Sequence, residues 1–175
     1  MINKVRHQLV NNAASLLKTP LHLLPQTVQR RVLLDGLETV FKEALDDGDF
    51  EFLEDKWLKV SVTDIDLSWY ISYSNESLIV AEQPVKEDVS FSGALNDLVL
   101  IVGRKEDPDT LFFQRRLKIE GDTELGLEVK NLMDSVDLEL LPKPLQILIN
   151  QLADFVQKGV QSSQTQNEVI NAYSN

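Results

Sequence analysis

The side chains best placed to do chemistry are cations gathered about one aromatic pair. Arg104 and Lys105 precede Phe112-Phe113, and Arg115, Arg116 and Lys118 follow it. Guanidinium groups can grip a carboxylate or phosphate through two parallel hydrogen bonds, while an ammonium acts as a point charge. Arg104, Arg115 and Arg116 are therefore the candidates for holding an anionic head group. The same charges could instead be neutralised at the surface by Asp107, Asp109 and Glu120.

Other reactive arrangements are weaker. Asp64 and Asp66 imitate a carboxylate pair, but strand alternation and turn chemistry explain them better. The acidic run Asp46, Asp47, Asp49, Glu51, Glu54 and Asp55 has its oxygens and glycine at the wrong offsets for a calcium loop, and reads as a solvated loop. His7 and His22 lie in the N-terminal arm, away from any carboxylate cluster. The sequence holds no Gly-x-Ser-x-Gly elbow, no Walker loop, no Gly-x-Gly-x-x-Gly and no histidine pair at metal-ligand spacing. Cysteine is absent, which excludes disulfides and thiolate chemistry. No enzyme, metal or cofactor is expected from this set.

Charge adds a second constraint. A formal net charge of −11 argues against general nucleic-acid binding. Residues 1–34 contain Lys4, Arg6, Lys18, Arg30 and Arg31 and no acid, so a basic arm precedes an acidic body.

The elements that must position the aromatic pair are written around it. Asp107-Pro108-Asp109 is turn chemistry, and Leu111, Phe112 and Phe113 follow directly. Leu117 and Ile119 flank Lys118 in a short strand that Gly121 ends, and Asp122-Thr123 opens a helix with Glu124 in its first turn. Two adjacent phenylalanines suit a packed core as well as a ligand wall.

Along the chain, Ile2, Val5, Leu9, Val10, Ala13, Leu16 and Leu17 mark an amphipathic helix over residues 1–18, with Pro20 and Pro25 bracketing a link. This basic arm suits either an anionic membrane or the acidic body of its own chain. A helix from about Gln26 to Asp46 is stopped by Asp47-Gly48. Strands are predicted at Leu58–Val62, Ile65–Ser74, Leu78–Ala81, Val89–Phe91 and Leu117–Ile119, with short links at Thr63-Asp64 and Asn75-Glu76. Ser92 is positioned to cap an almost wholly apolar helix, Leu95–Val102. Leu125, Val129, Leu132, Met133 and Val136 define another helix. Pro142 and Pro144 open a last helix that should end at Gly159, with a polar, disordered tail beyond Gln161. The expected class is α+β: a five-stranded, mostly antiparallel sheet covered by helices. Its divisions are an arm at 1–25, a body at 26–159 and a tail at 160–175. At least four apolar helices compete for one sheet face, which implies either thick packing or an enclosed cavity.

Phe112-Phe113-Gln114-Arg115-Arg116-Leu117 and Gly121-Asp122-Thr123-Glu124-Leu125-Gly126-Leu127 resemble the sterol-carrier-protein lipid-binding family, in particular its branch serving bacterial ubiquinone biosynthesis. Ala44-Leu45-Asp46-Asp47-Gly48 and Val129-Lys130-Asn131-Leu132-Met133-Asp134 extend the resemblance, which runs from the N-terminus to about Lys158. Many domains of that family place glycine where Arg115 stands, so sterol itself is not the expected ligand. The resemblance implies a lipid cavity between sheet and helices and a non-catalytic accessory role. Its expected walls are Leu95, Val99 and Val102; Phe112, Phe113 and Leu117; Leu125 and Val129; and Leu148, Leu152 and Phe155. The expected ligands are isoprenoid quinone intermediates or phospholipid, and the implied partners are the oxygen-independent hydroxylation proteins UbiU and UbiV. A protein-interaction module with a dry core, and peripheral membrane binding through residues 1–24, remain the alternatives. No apolar run approaches the roughly 20 residues that span a bilayer, and Asn11 and Asn12 interrupt any signal-peptide core. The reading is therefore a cytoplasmic protein, with any contact to the inner membrane peripheral.

Overall fold

Strand periodicity builds the sheet, because residues two apart share a face. In the computed structural model, which describes residues 2–81, 86–135 and 138–173, the strands are β1 (Leu58–Val62), β2 (Leu67–Ser74), β3 (Ser77–Ala81), β4 (Val89–Gly93) and β5 (Leu117–Gly121). Their order is β3-β2-β1-β4-β5. β1 pairs antiparallel with β2 and parallel with β4, and the two outer pairings are antiparallel. Register aligns Leu58 with Ile71 and Val89, and Val60 with Trp69 and Phe91, so one continuous apolar face results. The opposite face carries Lys59, Ser61, Ser68, Tyr70, Ser90 and Lys118.

Helices cover the apolar face. They are α1 (Ile2–Asn11), α2 (Ala13–Leu23), α3 (Gln26–Val40), α4 (Lys42–Asp46), α5 (Leu95–Val102), α6 (Pro108–Phe113), α7 (Thr123–Ser135) and α8 (Lys143–Tyr173). α3 lies over β3, α7 over β4 and β5, and α8 packs on α5 and α1. Leu53, Val89, Leu111 and Leu117 are almost wholly enclosed in the main core, each worth roughly 1.5–3 kcal/mol of transfer free energy. Val10, Leu100 and Val156 form a separate cluster where α1, α5 and α8 meet, and Val62, Ile65 and Leu67 form a third.

Several expectations are corrected by this packing. The first helix is two, α1 and α2, divided at Asn12, and Pro20 sits inside α2 rather than beyond a helix end. The second divides at Phe41, whose ring packs edge-on to Phe50 at 5.6 Å, giving α3 and α4. Ile65 is in the β1–β2 turn, where it is 1% exposed, and β2 starts at Leu67. Ser92 belongs to β4; Ala94 precedes α5, and Asp64 Oδ1 accepts from Leu95 N at 2.9 Å instead. The last helix does not stop at Gly159 but runs to Tyr173, because a Cβ at Gly159 would lie 2.5 Å from Val10 Cγ2 and the glycine serves close packing rather than termination. The helix therefore passes through the region from Gln161 that was expected to be disordered. Val136 lies outside the described residues.

Candidate functional site

Asp107 starts α6 by accepting from Thr110 N at 2.9 Å, with Pro108 in the first turn, where its missing N–H costs nothing. Leu111 anchors the helix in the core, so Phe112 and Phe113 on its other side face solvent, Phe113 at 81% exposure. Their rings meet edge to face at 5.8 Å. The turn chemistry foreseen here is thus a short capped helix that presents its aromatics outward.

The three candidate arginines sit at the ends of different elements. Arg115 takes a left-handed φ of 61° at the end of α6, where Arg116 N donates to Leu111 O at 2.9 Å. Arg104 does the same at the end of α5, with φ 55° and Lys105 N donating to Leu100 O at 2.9 Å. Both occupy helix-terminal positions that usually take glycine. Arg104 Nη2 also donates to Asp134 O at 2.8 Å, at the end of α7. Arg116 donates to Asp97 Oδ1 from Nη2 at 2.5 Å and Nε at 3.2 Å, tying the start of β5 to α5. Two of the three acids named as neutralisers act elsewhere: Asp107 caps α6, and Asp109 pairs with Lys130 at 2.8 Å, raising the Lys130 pKa chiefly through that hydrogen bond.

The expected cavity walls divide by burial. Leu117, Leu125 and Val129 belong to the main core. Leu95 and Val99 are half-buried, Leu95 against the Ile65 cluster and Val99 against Val10, Leu100 and Val156. Val102, Phe112, Phe113, Leu148, Leu152 and Phe155 are exposed. Leu148, Leu152 and Phe155 share one stripe of α8, at helical spacing, beside the stripe that docks on α5. That docking is close: a Cβ at Gly103 would lie 2.2 Å from Ala153 Cβ.

A concavity of about 1120 Å³ opens elsewhere, between α3, α4, the β2–β3 turn and Leu141-Pro142. Its apolar lining includes Phe41, Ala44, Leu45, Leu78 and Leu141. Asp35, Glu38, Glu43, Asp46, Asp47, Asp49 and Glu76 line it as well. The acidic run was legible as charged, but its meeting with Glu76 of the β2–β3 turn was not, since that turn lies beyond two strands. Among the described residues no three His, Asp or Glu side chains converge to hold a metal ion.

The basic arm docks on its own body. Lys18 pairs with Asp66, whose pKa falls below the usual carboxylate range through that hydrogen bond and charge. His22 Nε2 meets Ile65 O at 2.8 Å. Leu16, Leu17, Leu23 and Leu24 stay exposed on α2 and the link after it. Among the described residues no helix is long and apolar enough to cross a membrane.

Residues 34–134 match the family model for the SCP-2 sterol transfer family. The chain belongs to that family. The SCP-2 match takes in the sheet with α4, α5, α6, the second half of α3 and nearly all of α7, and leaves α1, α2 and α8 outside it. Over a longer span the chain is 52% identical across 163 residues to "Ubiquinone biosynthesis accessory factor UbiT" of Escherichia coli K12, covering 93% of both chains. The relatives of that name from the O6:H1 and O157:H7 strains give the same figures. Among solved structures, "UbiJ-SCP2 Ubiquinone synthesis protein" superposes with a TM-score of 0.52 at 16% identity, covering 62% of this chain and 96% of its own. That likeness establishes the SCP-2 fold alone.

Proposed function

We propose that this protein is a non-catalytic, lipid-binding accessory factor for ubiquinone biosynthesis, holding the prenyl tail of quinone intermediates and presenting the aromatic head to hydroxylases. The observation that carries it is the 52% identity to UbiT over 93% of both chains. The absence of a nucleophile–base motif in the sequence supports a carrier rather than a catalyst. Six of the eleven proposed wall residues are exposed, so a bound isoprenoid would cover apolar surface at about 25 cal/mol per Å². Arg104, Arg115 and Arg116 are proposed to meet an anionic or phenolic head. On the resemblance read from the sequence, the branch served is the oxygen-independent one, with UbiU and UbiV as partners in the cytoplasm. The exposed leucines of α2, in a segment with only basic charges, favour peripheral contact with the inner membrane during loading.

The test is native mass spectrometry of protein purified without detergent, with solvent extraction of what it carries. A stoichiometric prenylated phenol or quinone supports the reading. Phospholipid alone would retain lipid binding but sink the quinone assignment. A protein that is empty, and gains no thermal stability from added prenyl quinone, would overturn both.

A further inference from the structure

The cleft between α3, α4 and the β2–β3 turn has the wrong charge for an anionic head group and too much apolar lining for water alone. We propose that it docks a lysine- or arginine-bearing amphipathic segment of a partner protein. At about 1120 Å³ it exceeds the roughly 300–1,000 Å³ of ordinary small-molecule pockets, and it is open to solvent. Phe41, Leu45 and Leu78 give the floor, and Phe41 is steadied edge-on against Phe50. The rim carboxylates Glu38, Glu43, Asp47, Asp49 and Glu76 make no ion pair among the described residues. Two neighbouring cations are engaged, Lys42 with Asp46 at 2.6 Å and Arg31 with Asp35 at 3.9 Å.

Such a rim repels anionic lipid and attracts an extended cation, and the complementarity fixes orientation and encounter rate. A single metal ion does not answer it, since no three carboxylates converge among the described residues. The chain's own basic arm is engaged elsewhere, with α1 packed on α8 and Lys18 on Asp66. The occupant must therefore come from another molecule. This surface is separate from the proposed lipid walls and stands whether or not the lipid reading does.

The full chain would be titrated with two synthetic helical peptides that carry leucine on one face, and lysine or glutamate on the other. Binding would be read by fluorescence anisotropy and by amide chemical shifts. The lysine peptide is expected to bind, to weaken as salt rises, and to shift residues 38–49 and 76–78. The variant E38Q/E43Q/E76Q should lose at least about tenfold in affinity, while the control E120Q/E124Q/E128Q should change by less than about twofold. Asn75 and Glu76 have φ of 50° and 56°, a turn that favours glycine second, so Glu76→Gly should raise Tm while lowering affinity. Equal losses in the two triple variants would overturn the proposal as mere net-charge attraction. So would shifts that map outside the cleft, or a glutamate peptide that binds as well.

Discussion

Gly121 and Arg115 adopt left-handed backbone under opposite constraints. At Gly121 φ is +107° and an added Cβ would lie 2.4 Å from Asp88 O, where Asp122 N also bonds at 3.0 Å. Neither the angle nor the space admits a side chain, so Gly121→Ala should cost about 1–3 kcal/mol in chemical denaturation. Arg115 holds φ 61° with its side chain exposed, and its conformation is one glycine takes freely. Arg115→Gly should therefore stabilise the fold by about 0.5–1 kcal/mol. If the arginine serves a head group, the same variant should capture less anionic lipid despite its higher stability. Unchanged capture in a flotation assay with anionic vesicles would remove that role from Arg115.

At the level of elements, one junction joins two helices and another ties the sheet to its neighbours. The first is the contact of α8 with α1 through Gly159, where Val10 Cβ would stand 2.7 Å from a new Cβ. Gly159→Leu should lever α1 away and raise amide exchange across Ile2–Asn11, while exchange in β1 and β4 stays slow. Faster exchange in those strands too would mean that α1 is integral to the sheet domain. The second junction is Asp88, which joins three elements. Its Oδ2 accepts from Trp57 N at 3.0 Å ahead of β1, its carboxylate pairs with Lys86, and its backbone oxygen receives Asp122 N before α7. The Lys86 hydrogen bond, opposed by burial and aided by Trp57 N, holds its pKa below the ordinary carboxylate value of 3.8. Because the folded value is depressed, the stabilisation is complete above pH 3.8 and is lost as pH falls through the lower folded value. The stability gap between wild type and Asp88→Asn should thus be full at neutral pH and close in strong acid. A gap independent of pH would show that the carboxylate charge is not involved. The strand alternation behind these elements was legible, as was the cap at Asp122, whereas Asp107 read as a turn and proved to cap α6. Ser92 misled, because a residue drawn into β4 cannot cap, and Asp64 arrives from another turn.

On the scale of the whole molecule, the acidic cleft and the proposed lipid walls use different elements. The acidic cleft lies along α3, α4 and the β2–β3 turn, while the proposed lipid walls lie on α5, α6, β5, α7 and α8. Sites without shared residues should act nearly additively. The triple variant E38Q/E43Q/E76Q is accordingly expected to retain its extracted lipid within about twofold, since distant sites couple weakly. A large loss would mean that the two surfaces communicate.

The sequence by itself determined whatever depends on near neighbours. Alternation gave five strands, helical spacing gave the apolar stripes, and the aromatic pair with the Gly-Asp motif pointed to the family. Asn75-Glu76 also marked a tight turn correctly. Tertiary structure alone decided the parallel pairing of β1 with β4, the breaks at Asn12 and Phe41, and the continuation of α8 through Gly159. It also brought Glu38, Asp49 and Glu76 around one cleft, sent Arg104 and Arg116 to different partners, and left Arg115 exposed. Those outcomes depend on which residues distant in sequence compete for the same space, and local propensity carries no term for that competition.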